Sequence, residues 1–295
     1  MPRPPKVLWT FHGTAAVTGY QKTLDWLGRF VGCVALEVSD AGPPIARYGG
    51  CCWLADNQLE LAEPNAADTP TAKFIERFGA GYLNLALQLD DLVNADAWLT
   101  MHGAKPTVPP DYHFTFTRPS ETCGLQFEWA DFTDQDWDPR QHGKLPPRPD
   151  ALIDTPRIAH WGALVSDPVV AVERLQTLWD APLLFLNPNA PLDEPAAAFS
   201  LRDGVLTLYR LPTDSAGEAR LWHRAIGRPR FHLMTFRVRD LKAAEQMFAR
   251  EGVRLLRGSA QSGEIVTHPD DCTGLLLAWT DRDISGDPRG TLAKQ

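Results

Sequence analysis

The sequence predicts an α+β protein: four βαβββ modules forming two domains with curved mixed sheets. Two observations carry this. Short alternating strand patterns recur with one helical pattern after the first strand of each group. The two halves of the chain also match position by position. Thr117, Pro119, Gly124, Leu125 and Trp129 recur as Thr267, Pro269, Gly274, Leu275 and Trp279, each 150 residues later (267 − 117). Asp91, Leu92, Ala95 and Gly103 recur as Asp240, Leu241, Ala244 and Gly252 after 149, and His12 as His160 after 148. A series of matches at nearly constant period is the mark of an internal duplication.

In chain order, residues 7–17 read as a strand and 19–30 as a helix with Tyr20, Leu24 and Leu27 on one face. Strands are expected near 33–40, 46–55 and 58–62, then a connection with a short helix around Lys73-Phe74. The pattern restarts with strand 82–89, with Asp91 capping a helix that runs to about His102, and strands near 105–109, 112–118 and 124–130. Residues 136–157 carry Asp138-Pro139-Arg140 and Leu145-Pro146-Pro147-Arg148-Pro149 and read as a linker. This makes 1–135 the first domain, 158–283 the second and 284–295 a tail. In the second half, strand 158–166 is followed by Asp167-Pro168, an N-cap and first-turn proline, and a helix 169–179. Strands near 183–187, 197–202 and 205–211 complete that module. The last has strand 231–238, helix 240–251 and strands near 254–257, 263–268 and 274–280.

With 295 residues, 44% of them hydrophobic, ten Trp and thirteen Phe, the chain has material for two domains, each with its own core. A net charge of −8 without a Lys/Arg run argues against nucleic acid or an anionic membrane as partner. No apolar run reaches the ~20 residues of a membrane span. The N-terminus lacks a signal-peptide pattern, and five cysteines without a Cys-x-x-Cys pair read as reduced thiols of a cytoplasmic protein. Adjacent Cys51 and Cys52 are expected on opposite faces of one strand.

The same alternation predicts the functional face. Leu59, Leu61, Leu83, Leu85, Leu87, Leu125, Phe127 and Trp129 fall on one side of their strands, suited to lie under helices. Gln58, Glu60, Asn84, Gln88, Gln126 and Glu128 fall on the other, a polar wall that with His12 is expected to line a pocket. Two carboxylates held close raise the pKa of at least one, and such a group is a suitable base for a proton α to a carbonyl.

At this point the sequence resembles the vicinal oxygen chelate superfamily, which includes glyoxalases, extradiol dioxygenases, bleomycin and fosfomycin resistance proteins and methylmalonyl-CoA epimerase. The epimerase branch is echoed most, through Leu59-Glu60-Leu61-Ala62-Glu63-Pro64, Thr69-Pro70-Thr71-Ala72-Lys73-Phe74, the Gly79/Gly81 pair and Leu85-Ala86-Leu87-Gln88-Leu89-Asp90-Asp91. The resemblance implies a metal position surrounded by His12, Glu60, Asn84 and Glu128, with His160, Thr207, Leu233 and Ala278 as a degenerate set in the second half. It implies a divalent metal (Mg, Mn, Co or Fe), and an amide at Asn84 in place of an imidazole favours Mg, Mn or Ca over zinc. A metal-free pocket working by hydrogen bonds is the other reading. The expected function is enolate-type isomerase, epimerase or lyase chemistry on a small carbonyl or acyl-thioester substrate. Glu60 and Glu128 would be the catalytic carboxylates, with Asn84, Gln126 and Gln58 holding the substrate. The alternatives are a metal-free ligand-binding protein of the resistance type and an extradiol-type dioxygenase. A homodimer is compatible with the pattern, although the paired halves of one chain already supply what shorter relatives obtain by dimerising.

Overall fold

The computed structural model describes residues 1–42, 46–133, 138–147, 149–212 and 228–291. The first half opens with β1 (Val7–Ala16) and α1 (Tyr20–Val31), followed by β2 (Val34–Ala35), β3 (Ser39–Ala41), β4 (Arg47–Leu54) and β5 (Asn57–Pro64). Helix α2 (Pro70–Phe78) precedes β6 (Gly81–Leu89), α3 (Leu92–Met101), β7 (Phe114–Phe116), β8 (Phe127–Ala130) and the short α4 (Pro139–His142). These strands form one eight-stranded mixed sheet in the order β2-β4-β5-β1-β6-β8-β7, with β3 beside β4. The second half follows with β9 (Arg157–Val165), α5 (Pro168–Leu178), β10 (Leu183–Leu186), β11 (Ala197–Ser200) and β12 (Val205–Arg210). It ends with β13 (Arg230–Arg237), α6 (Leu241–Glu251), β14 (Leu255–Ser259), β15 (Glu264–Thr267) and β16 (Leu277–Thr280). Its sheet is also eight-stranded, ordered β10-β11-β12-β9-β13-β16-β15-β14.

In each sheet a parallel pair flanks an antiparallel centre: β1 with β5 and β6 with β8, joined by β1–β6, and equivalently β9 with β12 and β13 with β16, joined by β9–β13. The α+β class and the modular mixed sheets are as the sequence predicts. The duplication also repeats individual hydrogen bonds. Trp129 Nε1 donates to Thr117 Oγ1 at 3.3 Å, and Trp279 Nε1 to Thr267 Oγ1 at 3.4 Å.

The helix starts follow their caps. Asp91, Asp167 and Asp240 each accept a backbone N–H from the first turn of α3, α5 and α6, respectively. One expected strand is absent, since residues 105–109 are not in a ladder. Pro106 and Pro109 have no N–H to donate, and the segment makes only Thr107 N→Phe116 O and Val108 N→Thr115 Oγ1 beside β7. The second module is therefore βαββ.

The two halves do not have separate cores. One contiguous apolar cluster contains Leu59, Leu85, Phe127 and Trp129 of the first sheet, Trp161, Leu206 and Phe236 of the second, and the buried faces of α1, α3, α5 and α6. Phe127 meets Trp179 at 5.0 Å and Phe231 at 5.3 Å between ring centroids, and Trp98 Nε1 of α3 donates to Thr177 O of α5 at 3.0 Å. The sheets thus turn apolar sides toward each other, and the first sheet turns its polar side away. At the centre β1 and β9 touch. A Cβ on Gly13 would lie 2.4 Å from the buried Trp161 ring. Gly13→Ala is expected to lower stability by about 1–3 kcal/mol through overpacking, read by urea denaturation.

Candidate functional site

The polar side of the first sheet carries the candidate site in two rows. In the first, Cys51 pairs with Glu60, Glu60 with Thr14, and Thr14 with Asn84. In the second, His12 pairs with Ala86, Ala86 with Glu128, and Glu128 with Phe116. Ala86 puts only a methyl between His12 and Glu128. Cys52 lies in the apolar core while Cys51 faces Glu60, the opposed placement that alternation predicts.

Two β-bulges shape this face. The pairing of β1 with β6 shifts between Thr10 and His12, which brings the Phe11 and His12 rings to the same side, 4.8 Å apart. Phe11 packs with Phe114 and Phe132 over Ala86 and Ala130, an aromatic cover on the polar face. A second shift between Thr14 and Ala15 turns Tyr82, rather than Leu83, into the core. The expected apolar-face position of Leu83 is corrected accordingly. It lines an outer cleft together with Gln126. Gln126 therefore belongs to that cleft, although its strand carries Glu128 two residues on.

Glu60 is the hub of the charged cluster. Its Oε1 accepts from Arg47 Nη2 at 2.5 Å and its Oε2 from Thr14 Oγ1 at 2.9 Å, with His12 Nδ1 4.0 Å away. Thr14 Oγ1 also lies 3.2 Å from His12 Nδ1. Thr14 has a single proton and gives it to the carboxylate, so it accepts from His12. This assigns the imidazole proton to Nδ1 and leaves Nε2 as an acceptor.

Burial and charge divide the acids. Burial pushes the Glu60 carboxyl up, but His12, Arg47 and the Thr14 bond together hold it below the ordinary value, so it is ionised at neutral pH. Glu128 is 7% exposed and has no hydrogen-bond partner among the described residues. Burial first, and then the Glu60 charge, push it up to about 8. Burial lowers His12 to about 4, so the imidazole is neutral. Buried polar atoms without partners among the described residues lie on the same face: both side-chain polar atoms of Gln58, Oδ1 of Asn84 and Oε1 of Gln88. Unsatisfied buried amides are expensive, and their grouping on one face is a feature of binding sites.

The metal position is changed by Arg47. Among the described residues no three of His, Cys, Asp and Glu come together as metal ligands do. A guanidinium occupies one oxygen of Glu60 and puts a fixed positive charge where a divalent cation would add a second. In this arrangement His12, Glu60, Asn84 and Glu128 are gathered on one face but do not form a metal site.

In the second sheet the equivalent floor is apolar, with Leu164, Tyr209, Leu233, Val266 and Ala278 packed together. His160 Nδ1 pairs with Thr207 Oγ1 at 2.8 Å, and burial lowers this imidazole to about 3. An unfolded chain takes up protons on His12 and His160 before the folded one does. The contribution of each histidine to stability is therefore expected to fall by about 1.4 kcal/mol per pH unit as pH drops from about 6.5 toward 4. Urea midpoints of wild type and His160→Gln at pH 7 and 5 check this, the variant gaining stability relative to wild type at pH 5.

Arg47 is legible only in hindsight. It stands two and four residues before Gly49 and Cys51 on β4, and so on the side that faces Glu60. A second missed feature is the repeat of Asp138-Pro139-Arg140 as Asp287-Pro288-Arg289, 149 residues on. Arg140 donates to Thr10 O at 2.5 Å and Phe11 O at 2.7 Å, just before His12. Arg289 donates to Ile158 O at 2.7 Å and Ala159 O at 2.8 Å, just before His160. Each arginine thus clamps the first strand of its half, and the segments read as linker and tail carry this positioning role.

No family model matches the sequence, and no curated protein matches it. Solved structures do. A triple mutant of 4-hydroxymandelate synthase from Streptomyces coelicolor is similar over 99% of this chain and 98% of its own, with a TM-score of 0.66 and 15% identity. A xylose isomerase-like TIM barrel/4-hydroxyphenylpyruvate dioxygenase fusion protein is similar over 94% of this chain and 49% of its own, with a TM-score of 0.56 and 15% identity. A methylmalonyl-CoA epimerase from Mycobacterium tuberculosis is a further neighbour, 17% identical over 46% of this chain and 95% of its own, with a TM-score of 0.42. The chain has the fold of the vicinal oxygen chelate superfamily, in the arrangement of two paired-module sheets. At 15% identity the likeness is one of fold. No helix among the described residues is long and apolar enough to cross a membrane.

Proposed function

We propose that the polar face of the first sheet performs proton transfer α to a carbonyl or acyl thioester, through an enolate. The observation that carries this reading is the opposed pair of acids: Glu60 ionised and paired with Arg47, and Glu128 buried, without a hydrogen-bond partner among the described residues, and pushed up to about 8. A carboxyl with a pKa near 8 is a stronger base than an ordinary carboxylate once ionised, and its ionised fraction rises as pH approaches 8. In this reading the ionised fraction of Glu128, which grows as pH rises toward 8, takes the α-proton and returns it, while the amide nitrogens of Gln58 and Asn84 donate to the developing oxyanion. Glu60 and Arg47 stay paired and keep the local charge constant. His12 remains neutral and orients the cluster through Thr14. No step is routed through a metal, because the donor set does not fit one.

The test is exchange of α-protons from D2O into a panel of short acyl thioesters and 2-keto acids, followed by NMR. Wild type is expected to catalyse exchange into at least one member, and Glu128→Gln to lose it by about 10²-fold or more. Exchange by the Glu128→Gln variant at the wild-type rate would sink the role of Glu128. A second reading, ligand binding without turnover, is favoured by the Phe11, Phe114 and Phe132 cover and by the Arg47–Glu60 pair. Tight binding of a panel member without any exchange would select it.

A further inference from the structure

Away from the acid pair, the outer cleft lined by Leu83 and Gln126 has a volume of about 440 Å³ and lies between α2 and the entry to β13. Its walls are cationic in a chain of net charge −8. Three guanidiniums converge on the Phe78 ring: Arg230 at 4.7 Å from its centroid, Arg77 at 5.2 Å and Arg228 at 5.8 Å. Arg77 and Arg228 are exposed and form no ion pair among the described residues. No carboxylate lines the cleft among the described residues. Burial and the charge of Arg228 lower the Arg230 pKa to about 10, the direction expected where like charges crowd. The ring takes up part of this field by cation–π contact, but it cannot supply a counter-charge.

The remaining wall is suited to something larger than a bare anion. Phe74, Pro119 and Phe231 are apolar or aromatic, and Ser120 and Gln126 offer hydrogen bonds beside them. The volume is in the range of sites for drug-sized ligands. We infer that this cleft binds an organic phosphate of nucleotide size, its phosphates on Arg77, Arg228 and Arg230 and its body against Phe74 and Phe231. Guanidinium groups recognise phosphate by paired charge-assisted hydrogen bonds, and the planar walls accept a base or similar ring. The inference does not depend on the proton-transfer reading, since it uses none of the residues on the acid face.

Titration calorimetry of the full chain with ADP, pyrophosphate and adenosine tests it. ADP is expected to bind more tightly than either fragment. The Arg77→Ala/Arg228→Ala double variant is expected to lose at least about tenfold in ADP affinity with an unchanged melting curve, because both side chains are exposed. Arg228→Glu alone should weaken ADP more than adenosine. ADP bound no better than adenosine, or equally by wild type and double variant, would overturn the site. Pyrophosphate bound as tightly as ADP would overturn the part assigned to the organic body.

Discussion

Arg47→Met is expected to lower stability by about 3–5 kcal/mol, the largest loss of any single substitution on the polar face. The change is close to isosteric along the side-chain stem, so packing against β4 is retained. What is lost is the cation: Glu60 would be left with its Thr14 bond and a neutral imidazole 4.0 Å away. The Arg47 bonds to Ser39 Oγ and Gly49 O are lost too, a smaller term at about 1 kcal/mol each. A second change separates the two. Glu60→Gln in the Arg47→Met background removes the unpaired charge and should recover more than half of the loss, whereas a simple packing defect would not be repaired. Denaturant unfolding of the four proteins in this cycle at pH 7.5 gives the coupling between Arg47 and Glu60 directly. A coupling below about 1 kcal/mol would mean that the pair behaves as a surface ion pair and does not organise the site.

Glu128→Gln is expected to do the opposite and stabilise the protein while removing the proposed proton exchange. The folded state holds the Glu128 proton up to about pH 8, whereas an unfolded carboxyl releases it near its ordinary value of 4.5. At this group the folded chain therefore binds more protons than the unfolded chain across that window, and the contribution of Glu128 to stability falls as pH rises through it. An amide has no such proton to lose. At pH 4.5 the variant should match wild type, and at pH 8 it should be more stable by roughly 2–4 kcal/mol, allowing for some water reaching the carboxylate. Melting curves at pH 4.5, 6 and 8 follow the divergence. Such a gain in stability at the expense of chemistry is the usual sign of a residue kept for function.

Much of this site can be read before any coordinates, because strand alternation is a strong constraint. Gln58, Glu60, Asn84 and Glu128 share one face for the same reason that Leu59, Leu85 and Trp129 share the other. The differences come from departures from period two. At Thr14–Ala15 a bulge exchanges Tyr82 for Leu83, and at Thr10–His12 another adds Phe11 to the functional side. Neither has a marker such as glycine at the bulge that would announce it. Residues 105–109 alternate as a strand does, but their prolines cannot enter a ladder. Arg47 gives no local signal, because a lone arginine on a strand is more often solvated than buried. Only the β4–β5 pairing, which brings Cys51 opposite Glu60, sets its guanidinium against the carboxylate. The two Asp-Pro-Arg triplets are legible as a repeat, but their composition is that of a linker, and their action on β1 and β9 is a long-range contact that no local pattern encodes. The common core is of the same kind. Apolar faces predict burial without saying which partner covers them, and here Trp161 of one half fills the space left by Gly13 of the other.

The central claim is that two neighbouring buried acids stand in opposite protonation states, Glu60 ionised beside Arg47 and Glu128 kept protonated by burial and by the Glu60 charge. Infrared difference spectroscopy during a pH titration measures this most directly. The account predicts a protonated-carboxyl band that persists at pH 7, disappears with a midpoint near pH 8 and is missing from Glu128→Gln. A spectrum of wild type at pH 7 containing only ionised carboxylates, or a band that survives in Glu128→Gln, would contradict it.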